Sequence, residues 1–553
     1  MRYLISFSVF LLAVGALRLG GCADDPKGET IDHGWGDPER IADGYDPDLA
    51  VDASGAAVAV WLYYGGAESE VWAASFAPED GWGTPERIAA YEDFARYPRV
   101  ALDPSGNAVA VWQHGRGDPD EVSAAVYASA GGWQAAVKLD YGFSGSSFAP
   151  TVAMDASGNA VAVWVRSTGD RHTIVAARRT RTGDWGEVTR IDEQQMGYPN
   201  APEVAMDPAG NAIAIWSGND DGVPWRAFAN RFTVDGGWGN PENIDDRAPG
   251  SSYDHRIAMD GEGNAIAVWR KEEEEQPDWP SRIWSNRFTP ASGWEAEPSR
   301  IESLDGAGRS RAPAIAMNAR GEAVVVWQRW DEQAQEGAIW SNGYDPAAGW
   351  RTAARVEVDY IERYDADPDV AVDPNGNALA VWGGVFNYRG TIWSSRYTPS
   401  SAWDQSVRLD TGGDVAHPKV GVDADGKGLA VWPPLTGGLG ASVWSSRYGD
   451  GPWTDHTEVW QALCDGYCER AVACFPEDVV LAECVSQCMA LRERMPCEPS
   501  AEALDVCVAE LEDWDCYYFE YEELPYQCHS VCSGPEGTVD AVAPKQLLET
   551  GRF

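Results

Sequence analysis

A short unit recurs eight times along the chain, and this limits the possible folds more than any other feature. Its clearest copy is Pro98-Arg99-Val100-Ala101-Leu102-Asp103-Pro104-Ser105-Gly106-Asn107-Ala108-Val109-Ala110-Val111-Trp112. The copies close on Trp61, Trp112, Trp164, Trp216, Trp269, Trp327, Trp382 and Trp432, with a period of 50 to 58 residues. Periods of this length belong to propellers and solenoids, whose units bury their apolar faces only by stacking on one another. Within each unit the Val-Ala-Leu-Asp and Ala-Val-Ala-Val-Trp segments are short and apolar, and the Asp-x-x-Gly-Asn between them suits a tight hairpin. These are strands A and B. A third segment, as in Ile392-Trp393-Ser394-Ser395-Arg396-Tyr397, alternates with period two and gives strand C. A fourth opens on Trp, as in Trp82-Gly83-Thr84-Pro85-Glu86-Arg87-Ile88, and gives strand D.

Four short antiparallel strands per unit, with no helical pattern between units, predict a mainly β fold. The expected architecture is an eight-bladed β-propeller of four-stranded antiparallel blades. The A and B segments occur eight times, but the Trp-led segment occurs nine times, from Trp35 to Trp453. A strand near Trp35 that paired with the C strand near Trp444 would complete the last blade and leave no open edge. Seven blades with one unit outside the ring is the alternative.

Composition narrows the function. The 553 residues carry 87 Asp plus Glu against 42 Lys plus Arg, a formal charge of -45, which repels phosphate backbones, so no nucleic-acid partner is expected. The apolar run from Leu4 to Leu17, ending in Leu19-Gly20-Gly21-Cys22, predicts a signal peptide over 1–21. Of 11 Cys, the ten beyond Cys22 are Cys464, Cys468, Cys474, Cys484, Cys488, Cys497, Cys507, Cys516, Cys528 and Cys532. An even number of cysteines in an exported chain predicts five disulfides rather than a metal cluster. The three Cys-x3-Cys pairs place both thiols on one helix face, and a helical hairpin stapled by Cys464–Cys488 and Cys468–Cys484 fits the first two. The spacing leaves the other pairings open. The expected organisation is a linker over 22–33, the propeller over 34–458, a cysteine-rich helical domain over 459–534 and a flexible tail over 535–553.

In a four-stranded meander the A–B and C–D turns share one face, and the B–C and D–A connections share the other. The first pair is nearly uniform among units and the second varies in length and content, so the second face is where a rigid scaffold would carry a binding site. Its B–C connections offer Tyr63, Tyr64, His114, Arg116, Asp170, Arg171, Asp220, Asp221, Glu272 to Glu275, Trp279, Tyr388 and Arg389, and its D–A connections offer Phe94, Tyr141, Phe143, Arg309 and Tyr364. The residue at the head of each strand A is Asp48, Arg99, Thr151, Glu203, Arg256, Ala314, Asp369 or Lys419, expected to ring the channel mouth. The candidate ligand-binding residues are therefore Asp48, Arg99, Glu203, Arg256, Asp369 and Lys419, and their mixed charge suits a polar ligand. The repeated tryptophans are expected to pack between blades. The seven His are scattered, and no nucleophile elbow or phosphate-cradling loop is present, so no catalytic residue, metal or cofactor is predicted.

Several of these motifs resemble known families. Leu19-Gly20-Gly21-Cys22 resembles the lipobox of bacterial lipoproteins, which implies lipidation at Cys22, cleavage before it, and attachment to the outer membrane by lipid alone, on its periplasmic or surface face. Ala101-x-Asp103-x-x-Gly106 with Trp112 is similar to the Asp-box of sialidase-like propellers, but with different spacings, so sialidase activity is not implied. It is also similar to the docking motif of quinoprotein-type propellers and of the eight-bladed lipoprotein that supports outer-membrane protein assembly, without that motif's Thr-Gly-Lys step. The fullest resemblance is to uncharacterised bacterial repeat-propeller lipoproteins, which carry Asp-x-x-Gly-Asn-Ala-x-Ala-Val-Trp followed by Ile-Trp-x-x-Arg-Tyr. That resemblance implies an exported, non-enzymatic binding or scaffold protein with a glycan or protein ligand at the variable face. The alternatives are a carbohydrate-active propeller enzyme and an outer-membrane assembly scaffold.

Overall fold

The computed structural model describes residues 34–449 apart from 66–67, 116–118, 170, 193–197, 220–223, 246–249, 273–279, 303–307, 332–335, 357–366, 387–388, 401, 411–414, 416 and 435–440. The expected signal peptide, Cys22, the cysteine-rich domain with its ten Cys, and the Trp453 segment lie outside the described residues. The region Pro38–Asp450 forms a compact unit of its own. It is built of antiparallel β-sheets, with no helix among the described residues.

Each repeat folds into a meander in the order A-B-C-D. In unit 2, for example, Phe94–Leu102 pairs with Ala108–Gly115, which pairs with Glu121–Ala128. The outermost strand differs from the continuous strand D expected from sequence. In most units it breaks into two short pieces, such as Gly132–Trp133 and Val137–Lys138, both held on strand C. The left-handed glycine ahead of the tryptophan, with φ near +75° at Gly132, turns the chain back there. A solvent-facing edge tolerates the interruption that follows.

The strands A are Tyr45–Val51, Phe94–Leu102, Ser146–Met154, Asn200–Met206, Ser251–Met259, Gly308–Met317, Asp369–Val372 and Lys419–Val422. They pack side by side in chain order, and the last lies against the first. Gly421 touches Val51 so closely that a Cβ there would sit 2.3 Å from Val51 Cγ2. The sheet of the last repeat is completed by the first strand of the described residues, Glu39–Asp43, with Arg40 opposite Trp444. Units 5 and 6 share one hydrogen-bonded sheet through a single parallel bridge between Ser281 and Arg309.

The core lies between neighbouring sheets. All eight repeat tryptophans are fully buried there, and truncating any one of them to alanine would cost roughly 3 to 5 kcal/mol. The Asp-x-x-Gly-Asn turn explains itself in the same terms. Asp103 Oδ1 accepts from the backbone N–H of Ser105 and Asn107 at 2.8 and 2.9 Å, and its Oδ2 accepts from Asn107 Nδ2 at 2.8 Å. The turn glycine of the next unit, Gly158, has φ +82°, and a Cβ on it would lie 2.8 Å from Asp103 Oδ2. Gly210 repeats the relation with Asp155, Gly263 with Asp207, Gly321 with Asp260 and Gly426 with Asp373. The motif is thus a turn and a latch between units.

Candidate functional site

On the opposite face every strand A begins with the same distortion. Asp46, Tyr97, Ala149, Ala201, Asp254, Ala312, Asp367 and His417 have left-handed φ between 31° and 54°, and they are eight of the nine non-glycine residues that do among the described residues. Each stands two positions before the head residue named from sequence. In seven units a buried proline separates the two, and in unit 5 the separator is His255. Strand register slips across this step, for example between Arg96 and Arg99 and between Tyr253 and Arg256, so it is a β-bulge. Bulges re-aim the residue that follows them. A non-glycine residue held at such φ costs roughly 1 to 3 kcal/mol.

The bulges bring the head residues together. Asp48, Arg99, Thr151, Glu203, Arg256, Ala314, Asp369 and Lys419 occupy one register position, each opposite the same position of its strand B, as in Asp48 with Val60 and Lys419 with Val431. They reach from unit to unit. Asp369 Oδ2 accepts from Val420 N–H at 3.0 Å, and Asp48 Oδ2 accepts from Val100 N–H at 2.8 Å. Arg256 Nη1 lies 3.2 Å from Glu203 Oε1, and Thr151 Oγ1 donates to Glu203 Oε2 at 3.5 Å. Burial raises the Asp48 carboxyl, against the pull of Arg99, Lys419 and the Val100 N–H, and with a push from Asp369. Burial also works to lower Arg99, but the carboxylates of Asp48, Glu203, Asp46 and Asp369 outweigh it and keep the guanidinium charged. All six candidate ligand-binding residues therefore sit in one belt, interrupted only at Ala314.

A rim of left-handed residues stands above the belt, and sequence reasoning missed it. Its signal was the residue before each repeat proline. His417 Nδ1 lies 2.5 Å from Asp367 Oδ2. That hydrogen bond raises His417 and lowers Asp367. Asp254 pairs with Arg270 at 2.9 Å. His255 is 1% exposed, and neither ring nitrogen has a hydrogen-bond partner. Burial, helped by Arg256, pushes it down to about 3, so the imidazole stays neutral.

Beneath the mouth lies a second missed tier, the acids that end strand D. Asp245 is bound by Lys271 Nζ at 2.8 Å and by Ser252 Oγ at 2.6 Å, and Asp140 by Arg166 Nε at 2.7 Å. Lys271 is 1% exposed. These ion pairs join one unit to the next, the Lys271–Asp245 pair fully buried and the Arg166 side chain partly exposed.

The other loop candidates divide. Tyr64, Phe94 and Tyr141 are exposed on this face, and Arg171 and Arg309 are exposed as well. Tyr63 is half-buried. Phe143, also half-buried, carries the Arg166 guanidinium 4.6 Å above its ring. His114 is not a loop residue: it lies buried in strand B of unit 2, stacked on Tyr91 at 3.8 Å, because that strand runs to Gly115. Glu272 ends a strand and pairs with Arg270. Arg389 opens strand C of unit 7. Arg116, Asp170, Asp220, Asp221, Glu273 to Glu275, Trp279, Tyr364 and Tyr388 lie outside the described residues.

No family model and no curated protein matches the chain. Solved structures do. A PL25 ulvan lyase bound to a GlcA(1-4)Rha3S fragment is similar over 67% of this chain and 97% of its own, with 9% identity and a TM-score of 0.45. The polysaccharide lyase Uly1 is similar over 76% and 93%, with 12% identity and a TM-score of 0.42. A GH93 α-L-arabinofuranosidase of Fusarium graminearum is similar over 54% and 92%, with 12% identity and a TM-score of 0.36. Likenesses at this level assign neither a substrate nor a reaction to this chain.

Proposed function

We propose that the chain is an exported, non-enzymatic binding protein, lipid-anchored to the outer membrane through Cys22, whose closed eight-bladed propeller holds a polar ligand at the belt of Asp48, Arg99, Glu203, Arg256, Asp369 and Lys419. The cysteine-rich segment would act as a second contact or a spacer. One observation carries the reading: the same strained bulge is built into all eight units and delivers six charged side chains to one register. Strain kept at a single locus is a mark of function. The test is a screen of the full chain against glycan and peptide arrays, repeated with Arg99→Ala and Arg256→Ala. Saturable binding that both variants lose supports the reading, and binding that both retain overturns it.

A second reading, a carbohydrate-active enzyme, is favoured by Asp48, which burial holds above the ordinary carboxyl range beside Asp369. A raised carboxyl is the property asked of a general acid. It requires reducing-sugar release that Asp48→Asn abolishes while binding persists.

A further inference from the structure

Units 1 to 4 carry a group of exposed aromatic rings on the mouth face. Among the described residues Tyr64, Phe94, Tyr97, Tyr141 and Tyr198 are 37%, 45%, 50%, 92% and 39% exposed. All five belong to units 1 to 4. Tyr64 and Phe94 meet at 5.9 Å, Tyr97 is the rim residue of unit 2, and Tyr141 and Tyr198 lie on the connections into units 3 and 4. Charged and polar groups flank them. Arg96 stands over Phe94, and His172 lies between Phe148 and Tyr198. A protein or lipid surface would be met by one continuous apolar patch. Separate rings set among hydrogen-bonding groups fit a ligand whose own surface alternates apolar C–H faces with hydroxyls.

Charge narrows the ligand further. The belt holds three acids, Asp48, Glu203 and Asp369, and three bases, Arg99, Arg256 and Lys419, so it is balanced. The rim adds Asp46, Asp254 and Asp367 against His417, and the whole chain carries -45. An anionic ligand meets an opposing field on approach and finds no surplus of positive charge on arrival. A neutral one loses nothing, and carboxylates and guanidiniums in balanced pairs can both accept from and donate to vicinal hydroxyls.

Building on the mouth as the binding site, we infer that its ligand is an extended, uncharged oligosaccharide, hydrogen-bonded at the belt and stacked along the aromatic arc of units 1 to 4. The experiment is calorimetric titration of the full chain with neutral xylo-, manno-, cello- and arabino-hexaoses, and with hexameric oligogalacturonate and a heparin hexasaccharide as anionic probes. At least one neutral hexaose should bind saturably, with an affinity unchanged between low and high salt. Tyr97→Ala and Tyr141→Ala should each weaken it on the order of tenfold, since both side chains are exposed and a central aromatic contact is worth more than about 1 kcal/mol. Binding of the anionic probes alone overturns the inference, as does neutral binding indifferent to both tyrosine variants. If no hexaose binds but a peptide does, and Arg256→Ala abolishes it, the inference falls and the mouth stands. Sugar binding that weakens with the tyrosines but ignores Arg99→Ala and Arg256→Ala keeps the arc and removes the belt.

Discussion

In every unit the A–B turn on one face and the strand-A bulge on the other both bend the chain into the left-handed region, but they fill the position differently. In the A–B turn the residue is always glycine, from Gly55 to Gly426, with φ between 76° and 93°. At the strand-A bulge it is never glycine. At Gly158, Gly210, Gly263, Gly321 and Gly426 the glycine is forced, because the preceding unit's Asp leaves no room for a Cβ. The mouth positions pay a backbone cost to keep a side chain. At Ala149, Ala201 and Ala312 that side chain is only a methyl, so the contrast rests on Asp46, Tyr97, Asp254, Asp367 and His417. Where geometry alone matters the chain uses glycine, and where side chains vary from unit to unit it accepts strain.

The largest expected effect tests the tier beneath the mouth. Lys271→Met removes the nearer of the two cations beside buried Asp245, leaving Arg226 at 3.6 Å, and should cost about 2 to 5 kcal/mol in chemical denaturation. The exposed Arg320–Glu322 pair on the turn face, cut by Arg320→Met, should cost about 1 kcal/mol or less. Equal losses would mean the two faces do not differ in this way. Next comes Gly263→Ala, which places a Cβ 2.9 Å from Asp207 Oδ2 at φ +79°. A loss of roughly 2 to 3 kcal/mol is expected, whereas the mirror change Tyr97→Gly should leave stability within about 1 kcal/mol.

The smallest effect at neutral pH grows in acid. His255 fills a slot that proline fills in the other seven units, and it stays neutral in the folded chain down to about pH 3. The unfolded chain protonates it below about pH 6.5. Its contribution is therefore complete above that value and is lost as pH falls toward 3, at roughly 1.4 kcal/mol per unit. At pH 5 the native chain should have lost about 2 kcal/mol relative to His255→Pro, a difference read from paired denaturation curves. His114 and His172 are also lowered by burial, so the difference between the two proteins, not the native curve alone, is the measure. Parallel curves from pH 7 to 5 would show that His255 titrates normally.

Much of this was legible in the sequence because the signals are local and repeated. The period, the hairpin turn and the proline marking the head of strand A set the strands and the belt. What was missed is long-range or conformational. Lys271 and Asp245 are 26 residues apart, as are Arg166 and Asp140, a spacing that runs across two units and so does not show within a single repeat. The rim residues vary in type, so only their φ values reveal a common role. His255 read as one of seven scattered histidines, whereas its meaning lies in the proline it replaces.

The closing strand has a consequence for time and for load. Glu39–Asp43 finds its partner only in Ser442–Tyr448, some four hundred residues later, so the ring cannot shut until the whole repeat region has been delivered. Contacts of such separation form late. Once shut, the two ends of the repeat region are neighbours in one sheet, and tension between them would act first on the few hydrogen bonds from Glu39 to Asp43, among them the one that the Asp43 carbonyl accepts from buried Trp61 Nε1 at 3.1 Å.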